Sequence, residues 1–272
     1  MSKLQSIVNL YSDGQGRSDA RSYLSSVNLL EFIDKIAKKS VGRIEPNYQD
    51  LARLHKTIID RKVFTILEFG CGYSSIIMAD ALRVNEENWS QLSERPNIRN
   101  SNQFQLHTVD TEEKWIEQLK QDLTPNLATY VYISQSNVLS TTFQGRDCHV
   151  YEILPDVVPD FIYLDGPDPS AVCLPSSNVE NITPLSSWNN QDRVVMAADL
   201  LHIEPWLLPG TLVVVDGRKS NVRFLVSHFY RSWVIDSNNE ADISAFELQE
   251  APLGKINEGT LLYCLGSRIK EW

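Results

Sequence analysis

One stretch of this chain, residues 63–82, limits what the rest can fold into. It opens with a short apolar run, turns through Glu68, Gly70 and Gly72, and ends in apolar residues at helical spacing. That order predicts a strand, a glycine turn and a helix. Because glycine lets the backbone approach a ligand closely and a helix start presents free N–H groups, the stretch predicts a small-molecule site.

Composition narrows the class of protein. The 272 residues are 42% hydrophobic and 22% charged, which suits one large α/β domain or two small ones. The four cysteines form no C-x-x-C pair, which argues against a zinc site and a disulfide framework. No apolar run is long enough for a membrane span or a signal-peptide core, so we expect a cytoplasmic protein with no membrane partner. The net charge of -10 disfavours nucleic acid as a partner.

Acidic residues follow three other apolar runs. The runs and their acids are 104–109 with Asp110, 161–164 with Asp165, and 211–215 with Asp216. Acids at the carboxyl ends of parallel strands lie where open α/β sheets bind ligands. We therefore expect these three carboxylates to share one edge of the sheet with the glycine turn.

The remaining segments complete an alternation of helices and strands. We expect helices over 18–39, from Pro46 onward, and over 111–123, 193–204 and 221–230, and strands over 129–133, 233–235 and 260–265. The helix after the glycine turn is expected to end near Leu82, and the polar residues 85–102 to form a surface insertion. Residues 169–190 lack periodicity directly after Asp165, which indicates a substrate lid.

Four signals in register resemble the class I S-adenosylmethionine-dependent methyltransferases. They are E-x-G-x-G from Glu68, the acid Asp110, the pair Asp165-Gly166, and Pro209-Gly210 before Asp216. The resemblance implies an α/β fold with a Rossmann-like doubly wound sheet, seven-stranded and mostly parallel with the last strand antiparallel. We expect an N-terminal helical extension over 1–62 and a methyltransferase-like domain over 63–272, with the lid at 169–190.

The resemblance also implies a role for individual residues toward S-adenosylmethionine. Ser74 departs from the family pattern, in which a third glycine often stands, and Asp110 comes late after the glycines. Ser136 and Asn137 could equally form an ordinary polar turn. The implied roles are Glu68, Gly70, Gly72 and Ser74 at the methionine part, Asp110 at the ribose, Ser136 and Asn137 at the adenine edge, and Asp165 beside the transferred methyl group.

Asp165 and Asp216 are the candidate catalytic residues, because a hydroxyl acceptor must lose its proton to a base or a metal. Two carboxylates with a nearby amide, such as that of Asn221, could hold Mg²⁺, and the question of a metal stays open. The alternative for Asp216 is a turn acid that accepts backbone N–H groups.

The function expected from the resemblance is methyl transfer to a small molecule, by O-methylation of a sugar or another hydroxylated metabolite. One alternative is an NAD(P)-linked oxidoreductase, although Ser75 stands where the third glycine of its fingerprint would be and no Tyr-x-x-x-Lys dyad occurs. The other is a methyltransferase-like protein that binds without catalysis. The sequence identifies neither the acceptor nor the oligomeric state.

Overall fold

The structure, a computed structural model, describes residues 3–39, 44–167, 172–173 and 196–266. The helices are α1 (Lys3–Val8), α2 (Gly16–Ser26), α3 (Leu30–Lys39), α4 (Tyr48–Asp60), α5 (Tyr73–Ser90), α6 (Glu113–Asp122), α7 (Pro125–Ala128), α8 (Asp199–Ile203), α9 (Lys219–Val226) and α10 (Lys255–Leu265). The strands are β1 (Thr65–Phe69), β2 (Gln105–Asp110), β3 (Val131–Gln135), β4 (Val138–Phe143), β5 (Arg146–Tyr151), β6 (Phe161–Leu164), β7 (Val172–Cys173), β8 (Met196–Ala197), β9 (Leu212–Asp216), β10 (Trp233–Asn238) and β11 (Ile243–Leu248).

Seven strands form the main sheet, in the order β10-β11-β9-β6-β1-β2-β3. The pairs from β9 to β3 are parallel, and β11 runs antiparallel to both β9 and β10. The strand order reverses beside β1, which pairs with β2 on one side and β6 on the other. A reversal of this kind opens a crevice at the carboxyl edge of a sheet. The predicted fold class is confirmed.

Two apolar cores cover the two faces of the sheet. Successive residues of a strand point to opposite faces, so Ile66 joins the core shared with α2 to α5, whereas Leu67 joins the core shared with β5, α8 and α9. The N-terminal helices thus belong to one of the sheet's own cores. The domain boundary between residues 62 and 63 stays a prediction, and the predicted lid lies outside the described residues except for β7.

The predicted helix over 18–39 is two helices. Asn28, between α2 and α3, has a left-handed backbone with φ of 61°. Asparagine tolerates that conformation better than most residues, and it ends α2 before α3 begins.

The predicted surface insertion after Leu82 is wrong over its first part, because α5 continues to Ser90. Asn85 and Trp89, one turn apart, are buried. The Asn85 amide donates to the carbonyl groups of Ile58 and Val63, and the Trp89 ring packs against Phe64. Tertiary contacts therefore extend a helix whose local sequence is polar.

The predicted strand over 260–265 is also wrong, because these residues form the end of α10. The antiparallel strand is instead β11, every residue of which is buried, including Glu247 paired with Arg61. In the described part of 193–204, Met196–Ala197 is a strand and the helix begins only at Asp199.

A second, four-stranded sheet was not predicted. Along the chain, strands β4 and β5 come between β3 and β6 and form a hairpin outside the main sheet. Gln144 and Gly145 have positive φ in its turn. On its outer sides β4 pairs with β7 and β5 pairs with β8. Across the described ranges no helix is long and apolar enough to cross a bilayer.

Candidate functional site

The loops after β1 and β6 touch at the carboxyl edge of the main sheet. Gly70 has φ of +93° and donates its N–H to the Val109 carbonyl at 2.8 Å. A Cβ on Gly166 would lie 2.6 Å from the Gly70 nitrogen, a distance that real Cβ atoms do not show. Glycine at 166 is therefore required for the two loops to approach.

Glu68 lies beneath the glycine turn and is wholly buried. Its two carboxylate oxygens accept hydrogen bonds from the Ser74 hydroxyl at 2.5 Å and the Ser75 hydroxyl at 2.6 Å. The Ser75 hydroxyl also accepts the Gly72 N–H at 3.1 Å. Glu68 thereby fixes the first turn of α5, while Ser74 reaches the neighbouring cavity.

Burial raises the pKa of Glu68 to about 8, although the bonds from Ser74 and Ser75 favour its charged form. The folded state then holds this proton more tightly than the unfolded chain. The contribution to stability is complete below the model-peptide value of 4.5 and is lost as pH rises through about 8.

For Glu68→Gln we expect a free energy of unfolding that declines less steeply than that of the wild type between pH 5 and 8. The difference in slope is up to about 1.4 kcal/mol per pH unit. Urea unfolding across this range measures it. Glu258→Gln, at an exposed helix position, is the control and should leave the slope unchanged. Equal slopes for Glu68→Gln and the wild type would contradict the assignment.

Asp110 is the last residue of β2, and only 7% of its surface is exposed. One carboxylate oxygen accepts the Cys71 N–H at 2.9 Å, and the other accepts the Glu112 N–H at 3.0 Å. This single side chain therefore ties the glycine turn after β1 to the loop after β2.

A cavity of about 400 Å³ opens at this edge of the sheet. Of the predicted site residues, its lining includes Gly70, Gly72, Ser74, Asp110, Asp165 and Asp216. The six acidic or basic side chains among the described lining are all acids, namely these three aspartates with Glu45, Asp50 and Glu112. The cavity consequently favours a cationic ligand over an anionic one.

Asp165, directly after β6, and Asp216, the last residue of β9, both line this cavity. The Tyr163 hydroxyl donates to Oδ2 of Asp216 at 2.9 Å. Burial, with the nearby charges of Asp50 and Asp165, raises the pKa of Asp216 to about 7. The pKa of Asp165 is also raised, chiefly by desolvation, whereas the charge of Arg218 opposes the shift. An acid with a pKa near neutrality can exchange a proton at working pH.

Arg218 forms the rim beside these acids. Its guanidinium donates to the backbone carbonyls of Asp165, at 2.5 and 2.9 Å, and of Pro167 at 2.6 Å. It therefore holds the loop after β6 rather than pairing with a carboxylate in the hydrogen bonds of the described chain.

Several cavity residues had no site role in the sequence-based prediction, among them Asp50, Glu112 and Tyr163. Asp50 pairs with the buried Arg53 one turn later in α4. Because an acid and a base three residues apart lie on one face of a helix, their spacing beside apolar positions could have indicated a buried ion pair. Tyr163 is two residues before Asp165 and so shares its face of the strand.

Ser136 and Asn137 lie outside the described lining of the cavity. The Ser136 hydroxyl accepts the Ile153 N–H at 2.9 Å, and the Asn137 amide donates to Glu152 at 3.1 Å. Both side chains thus bind the end of the hairpin. Their proposed place at the adenine edge stays a prediction.

Two buried polar side chains of β5 have no hydrogen-bond partner in the described structure. They are His149, at both ring nitrogens, and Tyr151, at its hydroxyl. Burial and the charge of Arg218 lower the pKa of His149 to about 4, so this ring is neutral at neutral pH. Within the described ranges, no group of three His, Cys, Asp or Glu side chains is placed to hold a metal ion.

Several solved structures are similar to this chain. The O-methyltransferase TomG from Streptomyces achromogenes, involved in tomaymycin synthesis and in complex with SAM, is 15% identical over 84% of this chain and 95% of its own, with a TM-score of 0.45. An O-methyltransferase from Bacillus cereus in complex with SAH is 14% identical over 84% and 96%, with a TM-score of 0.44. A methyltransferase from Geobacter sulfurreducens is 12% identical over 85% and 98%, with a TM-score of 0.44.

These likenesses are too distant to carry the function of those proteins to this chain. No protein-family model matches the chain, and no curated protein does. The sheet itself is more informative, because it is seven-stranded and mostly parallel, its order reverses beside β1, and its last strand, β11, is antiparallel. The chain therefore adopts the Rossmann-like, doubly wound fold that its sequence resemblance to the class I S-adenosylmethionine-dependent methyltransferases implied.

Proposed function

We propose that this protein is an S-adenosylmethionine-dependent methyltransferase that methylates a hydroxyl group of a small molecule, such as a sugar or another hydroxylated metabolite. The observation that carries the proposal is the acid-lined cavity at the carboxyl edge, where the glycine turn at the start of α5 faces Asp110 and Asp165. In this fold a ligand binds at that edge, where the strand order reverses.

The charge of the cavity favours this cofactor over a nicotinamide dinucleotide. S-adenosylmethionine carries a sulfonium and an ammonium against one carboxylate, so it is a net cation. A dinucleotide brings a negatively charged pyrophosphate, which needs N–H groups or cations around it. The described lining offers six Asp or Glu side chains and no Lys, Arg or His side chain, which supports the methyltransferase alternative.

The residues present fit the parts of the cofactor. The backbone N–H groups at the start of α5 would receive its carboxylate, with Gly70, Gly72 and Ser74 around the methionine part. Glu68 would act indirectly, by fixing that first turn. Asp110 would accept the ribose hydroxyl groups, since each of its oxygens keeps a lone pair after bonding one backbone N–H.

Bound S-adenosylmethionine supplies a methyl group on a good leaving group, so alignment with the acceptor accounts for much of the rate. The protein would supply a base that takes the proton from the hydroxyl group being methylated. Asp216, held by Tyr163 and titrating near neutrality, is proposed for this role, with Asp165 beside it to orient the acceptor. The two acids together are the proposed catalytic residues.

Isothermal titration tests the cofactor. We expect S-adenosylhomocysteine to bind with a Kd on the order of micromolar, and S-adenosylmethionine to bind more tightly because of its extra positive charge. The preference for S-adenosylmethionine should shrink as salt is added. A titration with NAD⁺ is the matched control and should show no binding.

The outcomes separate the alternatives. NAD⁺ binding without S-adenosylhomocysteine binding would favour the oxidoreductase, and binding of neither would contradict the proposal. A gain in affinity with Mg²⁺ would favour a metal held by Asp165 and Asp216. If S-adenosylhomocysteine binds, release of this product from S-adenosylmethionine across a panel of hydroxylated metabolites distinguishes an enzyme from a non-catalytic binder.

A further inference from the structure

The turn between β9 and α9 has a backbone conformation that residues with a Cβ rarely adopt. Arg218, the residue before α9, has a left-handed backbone with φ of 52° and ψ of 40°, and Gly217 before it has φ of 61°. Such geometry is costly for a residue other than glycine, so it persists only where surrounding contacts hold it. The Gly217 N–H donates to the Asp242 carbonyl at 2.7 Å, and the buried Asn221 side chain accepts the Ala197 N–H. The turn is therefore fixed on both sides of Arg218.

The Arg218 side chain reaches from this turn to the loop after β6. Its guanidinium donates two hydrogen bonds to the Asp165 carbonyl, at 2.5 and 2.9 Å, and one to the Pro167 carbonyl at 2.6 Å. The end of β1 holds the same loop, because the N–H groups of Asp165 and Gly166 both donate to the Phe69 carbonyl, at 3.2 and 2.5 Å. The backbone of Asp165 is consequently bonded at its N–H and at its carbonyl, which restricts where its carboxyl can lie.

Arg218 also brings a positive charge to the acids of the cavity. Desolvation is the largest cause that raises the pKa of Asp165, and the charge of Arg218 opposes it. The other titratable groups of the described chain that interact with this carboxyl are four acids and one phenol, namely Asp50, Glu68, Asp110, Tyr163 and Asp216. Among the described groups that shift the pKa of Asp165, Arg218 is thus the one cation.

This cation distinguishes the two proposed catalytic acids. Asp165 and Asp216 interact, so neither titrates independently of the other. A cation beside one of two such carboxyls favours the charged form there, and the charge that remains raises the proton affinity of the second. Arg218 therefore favours a charged Asp165, whereas Asp216, with a pKa of about 7, holds and releases the proton.

We propose that Arg218 is a positioning residue for methyl transfer, which holds Asp165 at the cavity as a carboxylate and leaves Asp216 as the group that accepts the proton. This inference rests on the proposed function and extends it to a residue outside the described lining of the cavity. Asp216 would take the proton of the acceptor hydroxyl while the hydroxyl oxygen bonds the methyl carbon and the sulfur keeps the electron pair of the broken bond. Asp165, charged throughout, would orient the acceptor by accepting a hydrogen bond from it.

Titration of the Asp165 carboxyl in the ligand-free protein tests the effect of the Arg218 charge. Carbon-13 NMR follows the carboxyl, whose signal is identified by its loss in Asp165→Asn. Arg218→Gln removes the charge and should raise the pKa of Asp165, whereas Arg218→Lys keeps the charge and should raise it less. Arg223→Gln is the matched control, since Arg223 is exposed on α9, and it should leave the titration unchanged.

Kinetics test the positioning, with the hydroxylated metabolite that the wild-type protein methylates fastest. Arg218→Lys lacks the planar fork that bonds two carbonyl groups, so kcat should fall about ten- to hundred-fold through misalignment of the acceptor. Arg218→Gln should lower kcat further, because the charge is lost as well. The KM for S-adenosylmethionine should stay unchanged in both variants, since Arg218 makes no described hydrogen bond to the glycine turn or to Asp110.

The outcomes separate this inference from the proposed function. An Asp165 titration that is the same in Arg218→Gln and the wild type overturns the inference, even where S-adenosylhomocysteine binds. A lower melting temperature with an unchanged kcat also overturns it, because Arg218 would then be structural only. If the wild-type protein does not bind S-adenosylhomocysteine, the proposed function fails, and the inference fails with it whatever the carboxyl titration shows.

Discussion

Gly166→Ala is expected to lower the free energy of unfolding by about 1–3 kcal/mol, as overpacking commonly does, and to weaken S-adenosylhomocysteine binding at least ten-fold. The added Cβ would lie 2.6 Å from the nitrogen and 2.7 Å from the Cα of Gly70. Both contacts are with backbone, which cannot rotate away as a side chain can. The glycine turn and the Asp165 loop must then separate, and the cavity between them loses its shape.

Urea unfolding and isothermal titration measure the two effects of this substitution. Gly14→Ala is the control, because a Cβ at Gly14 meets no atom within 4 Å. It should leave both stability and binding near the wild-type values. A Gly166→Ala protein of full stability and full affinity would show that the two loops need not touch.

Asp110→Ala is expected to reduce the affinity for S-adenosylhomocysteine by about 1–3 kcal/mol, through the loss of charge-assisted hydrogen bonds. Its carboxylate accepts the N–H groups of both Cys71 and Glu112. Removing it therefore frees the glycine turn and also removes the proposed acceptor of the ribose hydroxyls. Titration of the variant and the wild type under one salt condition measures the loss.

Glu112→Gln is the matched control for Asp110→Ala. It also removes one negative charge from the cavity lining, but Glu112 is exposed and holds no backbone group by its side chain in the described hydrogen bonds. We expect a change below about two-fold, as for a screened surface charge. An Asp110→Ala affinity equal to that of the wild type would contradict the ribose assignment.

The strands at the centre of the sheet were predictable from sequence because their burial leaves a local signal. β6 is an apolar run that ends in an acid, and its predicted bounds agree with the structure. The acids after β2, β6 and β9 were also grouped correctly, since carboxyl ends of parallel strands must meet at one edge.

The errors fall where distant contacts decide the local structure. Residues 260–265 are rich in residues that suit strands, yet they close a helix whose Leu261 and Leu265 are buried. β11 includes Glu247, whose buried carboxylate is paired with Arg61 and also accepts a hydrogen bond from the Gln249 amide. The hairpin had one readable signal, the Gln144-Gly145 pair between two strand-like runs.

The candidate site shows the same contrast between residues that carry a local sequence signal and residues that only tertiary packing brings together. Glu68, Asp110 and Asp165 were predicted as site residues because each lies at or near the end of a strand in a known pattern, and of the three Asp110 and Asp165 line the cavity. Asp50 reaches the cavity from α4, a helix that precedes β1 and has no motif of its own. Sequence spacing cannot show that a residue of one element meets the end of another when only the tertiary packing brings them together.

The hairpin of the second sheet also holds both ends of one interval of the chain. The chain pairs with the outer side of β4 at β7 and with the outer side of β5 at β8, before α8 begins. In the described chain, no strand of the main sheet lies between β7 and β8. A change in the length of this interval therefore breaks no strand pairing of the main sheet, and the cavity at its carboxyl edge keeps the strands that form it.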